Sequence, residues 1–387
     1  MRYILRSVSS GNDSHLGGKA RSLLQLLRAG FPVPDFFVLA PQAFRDSLTL
    51  AQHAAVESAS DAEALRSALA DLVPGSPVRR ELSAALLWFD GTEAVFAVRS
   101  SAPDEDSAEH SFAGQLKSFL GVRPQDIEQR IADVWKSGFS AAVCAYRAQH
   151  GLPWPPAAPA VIVQKMIKPD TAGVAFSSDP VTGDRSLAVV GSNYGLATSV
   201  VSGEADSDLH HVDRSGRIVR RLIAIKTRVD RFSAAAPEGV APVAVTAKEA
   251  RRPALTDEQV RRVAEAVRRI ETLFGSPQDV EWAIAGGCLH FLQARPITAL
   301  SLSSGDKNTL QIWDNSNIVE SYGGVTTPLT FSFARRAYEG VYRQFCRTMR
   351  VPRPVIEAND SIFGCMLGKI RGRVYYNLLN WYRLIAM

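Results

Sequence analysis

Two short polar clusters in the sequence have the residue types that bind phosphate. Gly17-Gly18-Lys19 opens a helical segment, where free backbone N–H groups, the positive end of the helix dipole and an ammonium group together favour an anion. Arg99-Ser100-Ser101 leaves an apolar strand, and an arginine fixed at a strand end can place two N–H groups on phosphate oxygens. Two simpler interpretations stay open, a solvated helix start for Lys19 and a salt bridge from Arg99 to the acidic run Asp104–Asp106.

Two further clusters could contact the rest of a nucleotide. In the segment Ser111–Ser118, Gly114 would let the backbone approach a phosphate and Ser118 would add a hydroxyl group, although a plain turn fits equally well. Gln164 and Lys165 interrupt an otherwise apolar strand, which is unfavourable unless their polar groups find partners. The edge of an adenine base would supply such partners, and so would a neighbouring loop.

Glu281 and Gln293 interrupt the two strands of a predicted hairpin, Gln278–Pro296. A carboxylate and an amide oxygen are the hard ligands that Mg²⁺ prefers, since this ion binds oxygen and keeps several waters. The alternative is that these side chains accept a buried hydrogen bond from Arg295.

A shared metal ion requires Glu281 and Gln293 to lie on one face of the hairpin, and side chains alternate between faces with period two. A two-residue turn at Gly286-Gly287 would place them on opposite faces. We therefore predict a three-residue loop, 285–287, which pairs Glu281 with Phe291 and leaves Gln293 as a diagonal neighbour on the same face.

Other motifs of catalysis and binding are missing from the sequence. Gly18-Lys19 lacks the first glycine and the Ser or Thr of a Walker A loop, and no G-x-G, H-E-x-x-H or G-x-S-x-G occurs. The four cysteines have no zinc or disulfide spacing, so we expect reduced thiols. His53-Ala54-Ala55 superficially resembles a phosphocarrier motif but lacks flanking glycines and lies in a predicted helix. His210 and His211 are assigned to a surface turn.

The elements that must hold these clusters follow from local patterns. Lys19–Leu27 is predicted as a helix ending at Gly30, and Thr256–Phe274 as a helix opened by the capping box Thr256–Gln259. The passage Arg231–Ala247 is rich in Ala, Pro and Gly without a period, so a loose excursion is expected there. The remaining predictions are strands at 36–39, 94–98 (reaching Arg99), 160–167, 173–177 and 186–190, a polar loop at 100–115, a helix at 126–150, a proline-rich linker at 153–159 and an aromatic helix at 375–385.

Composition limits the class of protein. The chain has 387 residues, 46% apolar and 21% charged, which is typical of a globular protein with two or three domains. The net charge of +5 is too small and too evenly spread to indicate nucleic-acid binding. The sequence contains no run of 18 apolar residues and no apolar core of a signal peptide within Met1–Ser10, so we predict a cytoplasmic protein without membrane contact.

The order of the polar motifs along the chain is informative. The motifs are Gly17–Lys19, Val98–Ala102, Ser111–Gln115, Val163–Met166, Gly173–Ser177, Asp279–Trp282 and Leu292–Pro296. In this order they resemble the nucleotide-binding domain of the phosphoenolpyruvate synthase and pyruvate phosphate dikinase family, which rifampin phosphotransferase shares. The resemblance covers residues 1 to about 300 and implies an ATP-grasp fold, in which two α+β subdomains clasp ATP.

The resemblance also implies roles for individual residues of the ATP site. Lys19 and Arg99 would hold the phosphates, with Gly114 and Ser118 in a loop that closes over them. Gln164 and the backbone near Met166 would meet the adenine. Glu281 and Gln293 would bind Mg²⁺, and Arg295 would face the terminal phosphates. Such a site acts by positioning and charge neutralisation, because phosphoryl transfer leaves little covalent work for side chains.

In the family, the β-phosphoryl group of ATP passes to a histidine of a mobile domain. This sequence has no glycine-flanked carrier histidine, so we expect a carrier domain in cis in a longer parent or in trans, and a final unit that is incomplete. The first interpretation is the ATP-binding part of a dikinase-type phosphotransferase similar to phosphoenolpyruvate synthase. The alternatives are a rifampin-type antibiotic phosphotransferase and a nucleotide-binding module without catalysis.

The domain organisation expected from these patterns has four parts. Residues 1–155 and 156–300 would form the N-terminal and C-terminal ATP-grasp subdomains, and residues 301–309 a linker. Residues 310–387, including Glu320 and Thr326-Thr327-Pro328, would begin a further, mostly helical unit.

Overall fold

The computed structural model describes residues 2–6, 13–89, 94–102, 116–201, 206–233, 236, 239–297 and 312–387. The chain divides into two compact units, Met1–Ser303 and Ser304–Met387. Both units combine helices and strands, so the predicted mixed α+β class is confirmed. The predicted linker 301–309 lies outside the described residues.

The first half of the larger unit is built on an antiparallel sheet with the strand order β1-β2-β5-β3-β4. Its strands are β1 (Ile4–Leu5), β2 (Phe36–Leu39), β3 (Phe96–Ser101), β4 (Ser118–Val122) and β5 (Ala160–Lys165). Its helices are α1 (Gly18–Arg28), α2 (Pro41–Arg45), α3 (Leu50–Ser58), α4 (Ala62–Ala68), α5 (Ser76–Leu86), α6 (Ile127–Ser137) and α7 (Ala141–Gln149).

Strand β5 is buried on both faces, because its apolar run is continuous. Period two sends Val161 and Val163 into the core formed with the helices on one face, and Ala160 and Ile162 into the core formed with α1 on the other. A second subdomain beginning at residue 156 would include this strand, whereas the structure places it at the centre of the first sheet.

Three local predictions for this half need correction. Strand β3 does not end at Arg99 but continues through Ser100 and Ser101, which pair with β5 and are fully buried. The predicted single helix at 126–150 is divided into α6 and α7, because the chain turns at residues 138–140 and Ser140 caps α7 by accepting from the N–H of Val143. The predicted helix at Lys19 and strand at Phe36 are confirmed.

The second half of the unit contains an antiparallel sheet with the order β13-β12-β6-β7-β8-β9. The strands are β6 (Thr171–Phe176), β7 (Ala188–Tyr194), β8 (Asp208–Val212), β9 (Ile218–Leu222), β10 (Arg228–Phe232), β11 (Val240–Ala244), β12 (Gln278–Ala285) and β13 (Cys288–Pro296). Strands β10 and β11 form a separate two-stranded hairpin. The helices are α8 (Thr198–Val201), α9 (Ala247–Ala250) and α10 (Asp257–Phe274).

Helix α10 covers one face of this sheet. Its predicted capping box is present, with Thr256 and Gln259 each satisfying a backbone N–H of the other. Val260, Val263 and Val267 lie on the buried side and pack in the same core as the sheet. The structure corrects the assignment of His210 and His211 to a surface turn, because both lie in β8 and His210 is only 1% exposed.

The hairpin β12–β13 shows that the predicted three-residue loop is wrong. Ala285 pairs with Cys288, so the turn is the two-residue Gly286-Gly287, in which both residues have positive φ, as a type I′ turn requires. A β-bulge then shifts the register between Glu281 and Trp282, and Leu292 is the additional residue. The bulge makes Gln293 the direct partner of Glu281, so both side chains share one face by a different route.

Helix α1 joins the two sheets of the larger unit. Leu23 packs in the core of the first sheet, whereas Leu26 packs in the core of the second. The hydroxyl group of Ser22 donates to the carbonyl of Ala294 at 2.7 Å, which fixes the helix against β13. Helix α1 therefore links the first sheet to the second.

The smaller unit has a three-stranded antiparallel sheet with the order β14-β16-β15. Helices make up most of its described residues, but the predicted helix at 375–385 is partly wrong, because the segment up to Asn377 is a strand. The elements are β14 (Trp313–Asp314), α11 (Pro328–Thr348), α12 (Arg353–Ala358), α13 (Asp360–Gly364), β15 (Leu367–Ile370), β16 (Arg373–Asn377) and α14 (Leu378–Ile385). Within the described ranges, no helix has the length and apolar character needed to cross a bilayer.

Candidate functional site

A cavity of about 310 Å³ lies between the two sheets of the larger unit. One wall comes from the first sheet and the other from the second sheet, and most of the lining is apolar. The side chains that give this cavity chemical character are Arg99, Ser118, Gln164 and Lys165 on the first wall and Thr198 and Glu281 on the second. The volume is in the range of small-molecule sites, which combine apolar walls with a few polar groups.

The polar end of the cavity is centred on Arg99. Strand β3 brings it across from the first sheet, and its guanidinium group contacts the bulged hairpin of the second. One nitrogen, Nη2, donates to Gln293 Oε1 at 2.6 Å and to Glu281 Oε2 at 3.2 Å, and Nη1 donates to the Leu292 carbonyl at 3.2 Å. The side chains of Arg99 and Glu281 are 16% and 20% exposed. The structure therefore brings together three predicted site residues.

The partners of Arg295 and Arg99 differ from those that the sequence suggested. Arg295 does not bond to Glu281 or Gln293, but pairs with Asp279 through Nε and Nη2, each 2.9 Å from Oδ2. The alternative partners of Arg99, Asp104–Asp106, lie outside the described residues. Arg99 does form a salt bridge, to Glu281 on the opposite wall.

Asp279 is a site residue that sequence reasoning did not single out. It lies two residues before Glu281 on the same face of β12, and this period-two spacing was the signal that could have identified it. Burial raises the pKa of the Asp279 carboxyl group above its ordinary value; the positive charge of Arg295 opposes this shift, and the charge of Glu281 adds to it. Asp279 and Arg295 form a second charged pair beside Arg99.

Gln164 is a buried polar side chain among the mostly apolar lining of the cavity. This side chain is 3% exposed and lines the cavity, and its Nε2 atom has no hydrogen-bond partner among the described residues. A buried amide nitrogen without an acceptor is unfavourable, so the position suits a ligand that brings one. The Met166 N–H donates to the Val95 carbonyl at 2.9 Å, and Met166 Sδ accepts from the Gly121 N–H at 3.0 Å. The N–H of Met166 is therefore paired within the protein, and the residue lines the cavity.

The start of helix α1 differs from the predicted cluster of free N–H groups. The Ala20 N–H donates to Ser101 Oγ at 2.9 Å, and the Gly18 N–H donates to the Ala102 carbonyl at 3.4 Å. Two of the donors expected to bind an anion are thus used by the end of β3. Lys19 is half-buried in the first turn of α1, and its phosphate role stays a prediction.

The predicted closing loop is only partly described. Ser118 is not in a loop but begins strand β4, where it pairs directly with Arg99 across the sheet and lines the cavity. Its place beside Arg99 is compatible with a hydroxyl contact to a phosphate. Gly114 lies outside the described residues.

Two side-chain oxygen atoms at the polar end could contribute to a site for a metal ion. Glu281 Oε2 and Gln293 Oε1 surround the same nitrogen of Arg99, so they converge on one point that already holds a cation. In the part of the chain that the structure describes, no three His, Cys, Asp or Glu side chains come together as a metal cage. Mg²⁺ characteristically uses one or two protein oxygens together with phosphates and water.

Comparison with protein families gives a match over most of the chain. Residues 13–313 match the model described as pyruvate phosphate dikinase, AMP/ATP-binding domain. This range contains every residue of the cavity and of the Arg99 cluster.

Relatives with this similarity are much longer than the chain. A rifampicin phosphotransferase from a Streptomyces species is 36% identical over 311 residues, covering 76% of this chain and 36% of that protein. A probable phosphoenolpyruvate synthase from Archaeoglobus fulgidus is 31% identical over 315 residues, covering 76% of this chain and 41% of that protein. The chain therefore spans well under half the length of these relatives.

Among solved structures, a D-alanine–D-alanine ligase from Helicobacter pylori matches with 10% sequence identity and a TM-score of 0.33. The match covers 74% of this chain and 56% of the ligase.

Proposed function

Since the chain belongs to the pyruvate phosphate dikinase AMP/ATP-binding domain family, we propose that the cavity between its two sheets binds Mg·ATP in an ATP-grasp arrangement. The observation that carries the proposal is the convergence of Glu281 and Gln293 on the guanidinium group of Arg99. Arg99 extends from one wall of a mostly apolar cavity and bonds to the opposite wall. This arrangement suits a ligand with a charged end and an apolar end.

In this proposal Arg99 exchanges its partners when the nucleotide enters. Its planar group leaves the oxygens of Glu281 and Gln293 and donates to phosphate oxygens, which are matched to its fork geometry. Glu281 and Gln293 are then available to hold Mg²⁺, which neutralises phosphate charge when bound there. Arg295, held by Asp279, and Lys19 on α1 would contact the remaining phosphates.

The adenine would occupy the apolar end. Gln164 Nε2 is a buried donor that lacks an acceptor, and a ring nitrogen of adenine supplies one. Met166 and Leu196 line the same region and would contact the faces of the base. The terminal amide of Gln164 would thus orient the base, while the surrounding apolar side chains exclude water.

Together with a carrier domain, the chain would transfer the β-phosphoryl group of ATP to a histidine of that domain. The carrier histidine would not be one of the seven histidines of this chain. AMP would be the leaving product, and the γ-phosphoryl group would pass to water as inorganic phosphate. The final acceptor is pyruvate in a phosphoenolpyruvate synthase-like assembly. The similarity to rifampicin phosphotransferase supports an antibiotic acceptor as the second candidate, and a module that binds ATP without turnover is the third.

The experiment is a calorimetric titration of the chain with ATP, with and without Mg²⁺, followed by addition of a carrier-histidine domain and measurement of AMP. We expect binding that Mg²⁺ strengthens, and AMP only after the carrier is added. With ATP labelled at the β-phosphate, the chain alone retains no label. Absence of ATP binding would contradict the proposal, and stable labelling of the isolated chain would show an acceptor within it, with His53 the first residue to examine.

A further inference from the structure

The segment in which the sequence predicts a loose excursion contains an ordered hairpin. Strands β10 and β11 pair from Arg228 with Ala244 to Phe232 with Val240, and they belong to neither large sheet. We call the described residues within 228–244 the strap. The strap contacts both walls of the cavity at separate points.

The base of the strap is held by a buried ion pair. Lys226, two residues before β10, donates from Nζ to Asp208 Oδ1 at 2.6 Å, and neither side chain is exposed. The other oxygen of Asp208 accepts from the Ala254 N–H at 2.7 Å, and the Lys226 N–H donates to the Ala250 carbonyl at 2.9 Å. The chain segments that enter and leave the strap are therefore joined to each other and to β8.

The middle of the strap fixes the second wall of the cavity. The Asp230 carboxylate accepts from the Thr198 hydroxyl at 2.7 Å, and the Asp230 carbonyl accepts from the Leu196 N–H at 2.8 Å. Asp230 is 4% exposed, whereas Leu196 and Thr198 line the cavity. One strap residue thus positions two residues of the wall through two hydrogen bonds.

The end of the strap reaches the first wall. Gly239 lies against Gly121 of β4 so closely that a Cβ atom built on either glycine would be 2.5 Å from the Cα atom of the other. Both residues have positive φ, 70° and 65°. Leu120, next to Gly121, lines the cavity, and its carbonyl oxygen would be 2.8 Å from a Cβ atom on Gly239.

We propose that the strap positions the two walls for the nucleotide: Asp230 holds the wall of the second sheet, and the contact of Gly239 with Gly121 fixes its distance from the wall of the first. The inference rests on the proposed function, because it assigns the width of the cavity to binding of ATP. A cavity whose walls are held at the spacing of the ligand loses less freedom on binding, and this raises affinity.

The test compares Gly239→Ala with Gly216→Ala. Both glycines have positive φ, 70° and 83°, so alanine strains both backbones, but no atom lies within 4 Å of a Cβ atom on Gly216. The methyl group on residue 239 must push the strap away from β4, and overpacking of this kind forces backbone shifts. We expect the Kd of Mg·ATP to rise by roughly tenfold for Gly239→Ala and to stay within about twofold of wild type for Gly216→Ala.

A second variant keeps the test valid if Gly239→Ala does not fold. Thr198→Val keeps the shape of the cavity wall but removes the donor to Asp230, and loss of one hydrogen bond predicts a Kd increase of about twofold to tenfold. Hydrogen exchange supplies an independent readout: Mg·ATP should protect the Gly121 amide in the wild type and fail to protect it in Gly239→Ala.

The outcomes separate the two proposals. If the wild type does not bind Mg·ATP, the proposed function fails. If the wild type binds but both Gly239→Ala and Thr198→Val bind equally well, with wild-type protection of Gly121, the strap has no positioning role and the proposed function stands.

Discussion

Two ion pairs of the larger unit have opposite designs. The pair Lys226–Asp208 is completely buried, at 2.6 Å, and Asp208 also accepts two backbone N–H groups. The pair Arg99–Glu281 is longer, at 3.2 Å, is partly exposed, and lies on the wall of the cavity. Lys226 Nζ also donates to the Ala224 carbonyl at 3.2 Å, so both members of the first pair are bonded inside the fold. Arg99 instead divides its donors among three acceptors on the opposite wall of the cavity.

The difference agrees with the roles that we propose for the two pairs, folding for Lys226–Asp208 and ligand binding for Arg99–Glu281. A buried charge whose partner is removed has no solvent to replace it, so its partner contributes strongly to folding. The pair Arg99–Glu281 keeps some contact with solvent through the cavity, so water can replace part of what each group loses when the two separate. Arg99 and Glu281 can therefore separate at a lower cost than Lys226 and Asp208 when a ligand offers better partners.

Loss of the buried pair should produce the largest effect on stability. Lys226→Ala leaves Asp208 charged, buried and without its cation, and we expect the free energy of unfolding to fall by about 3 to 5 kcal/mol. The measurement is urea denaturation followed by circular dichroism. Arg217→Ala, which removes an exposed pair with Asp213, is the control and should cost under about 1 kcal/mol. Equal losses in the two variants would remove the distinction between buried and exposed pairs.

Arg99→Ala should have the reverse profile. It removes a charge-assisted contact to phosphate of about 1.5 to 3 kcal/mol, so the Kd of Mg·ATP rises by about tenfold or more while the unfolding midpoint changes little. Lys19→Ala should also weaken binding for the same reason. Arg221→Ala, which removes an arginine paired with Asp257 outside the cavity, is the matched control in calorimetry. Unchanged affinity in folded Arg99→Ala would reduce Arg99 to a structural salt bridge.

A smaller effect should appear near the buried pair at acid pH. Burial lowers the pKa of His210 below its ordinary value, although the nearby Asp208 charge opposes the shift. The unfolded chain then binds a proton that the folded chain does not, so stability falls as pH decreases from the ordinary histidine pKa toward the lower folded value. The measurement is the free energy of unfolding of wild type and His210→Gln at about pH 7.5 and about pH 5.5, which lie above and below the ordinary histidine pKa. We expect a weaker pH dependence in the variant, and an identical dependence would contradict the assignment.

The sequence predicted those features whose causes are local. The capping box at Thr256, the apolar stripe of α10 and the short strand Phe36–Leu39 follow from residues close together in the chain, and the structure confirms them. The two-residue turn at Gly286-Gly287 also has a local cause, yet the prediction there is wrong. A longer loop was inferred so that Glu281 and Gln293 would lie on one face, whereas the bulge brings this about.

The features that could not be predicted depend on contacts between distant segments. The bulge at Leu292 has no signature in β13 itself, and its carbonyl is bonded by Arg99, 193 residues away in the chain. The sequence of the strap has no periodic pattern that would predict it. A buried ion pair at its base and a glycine contact at its tip hold it in place. Lys226 appears in the sequence as an ordinary surface lysine, and only the fold shows Asp208 against it.

The most direct test of the central claim is the Mg²⁺ dependence of ATP binding in the wild type and in Glu281→Gln. Calorimetry should show that Mg²⁺ tightens ATP binding to the wild type, and that Glu281→Gln still binds ATP but loses most of this gain, a difference of about tenfold. The amide keeps the size of the side chain and removes its charge, so folding should be preserved. A full Mg²⁺ gain in Glu281→Gln, or no ATP binding by the wild type, would contradict the assignment of this cavity as a Mg·ATP site.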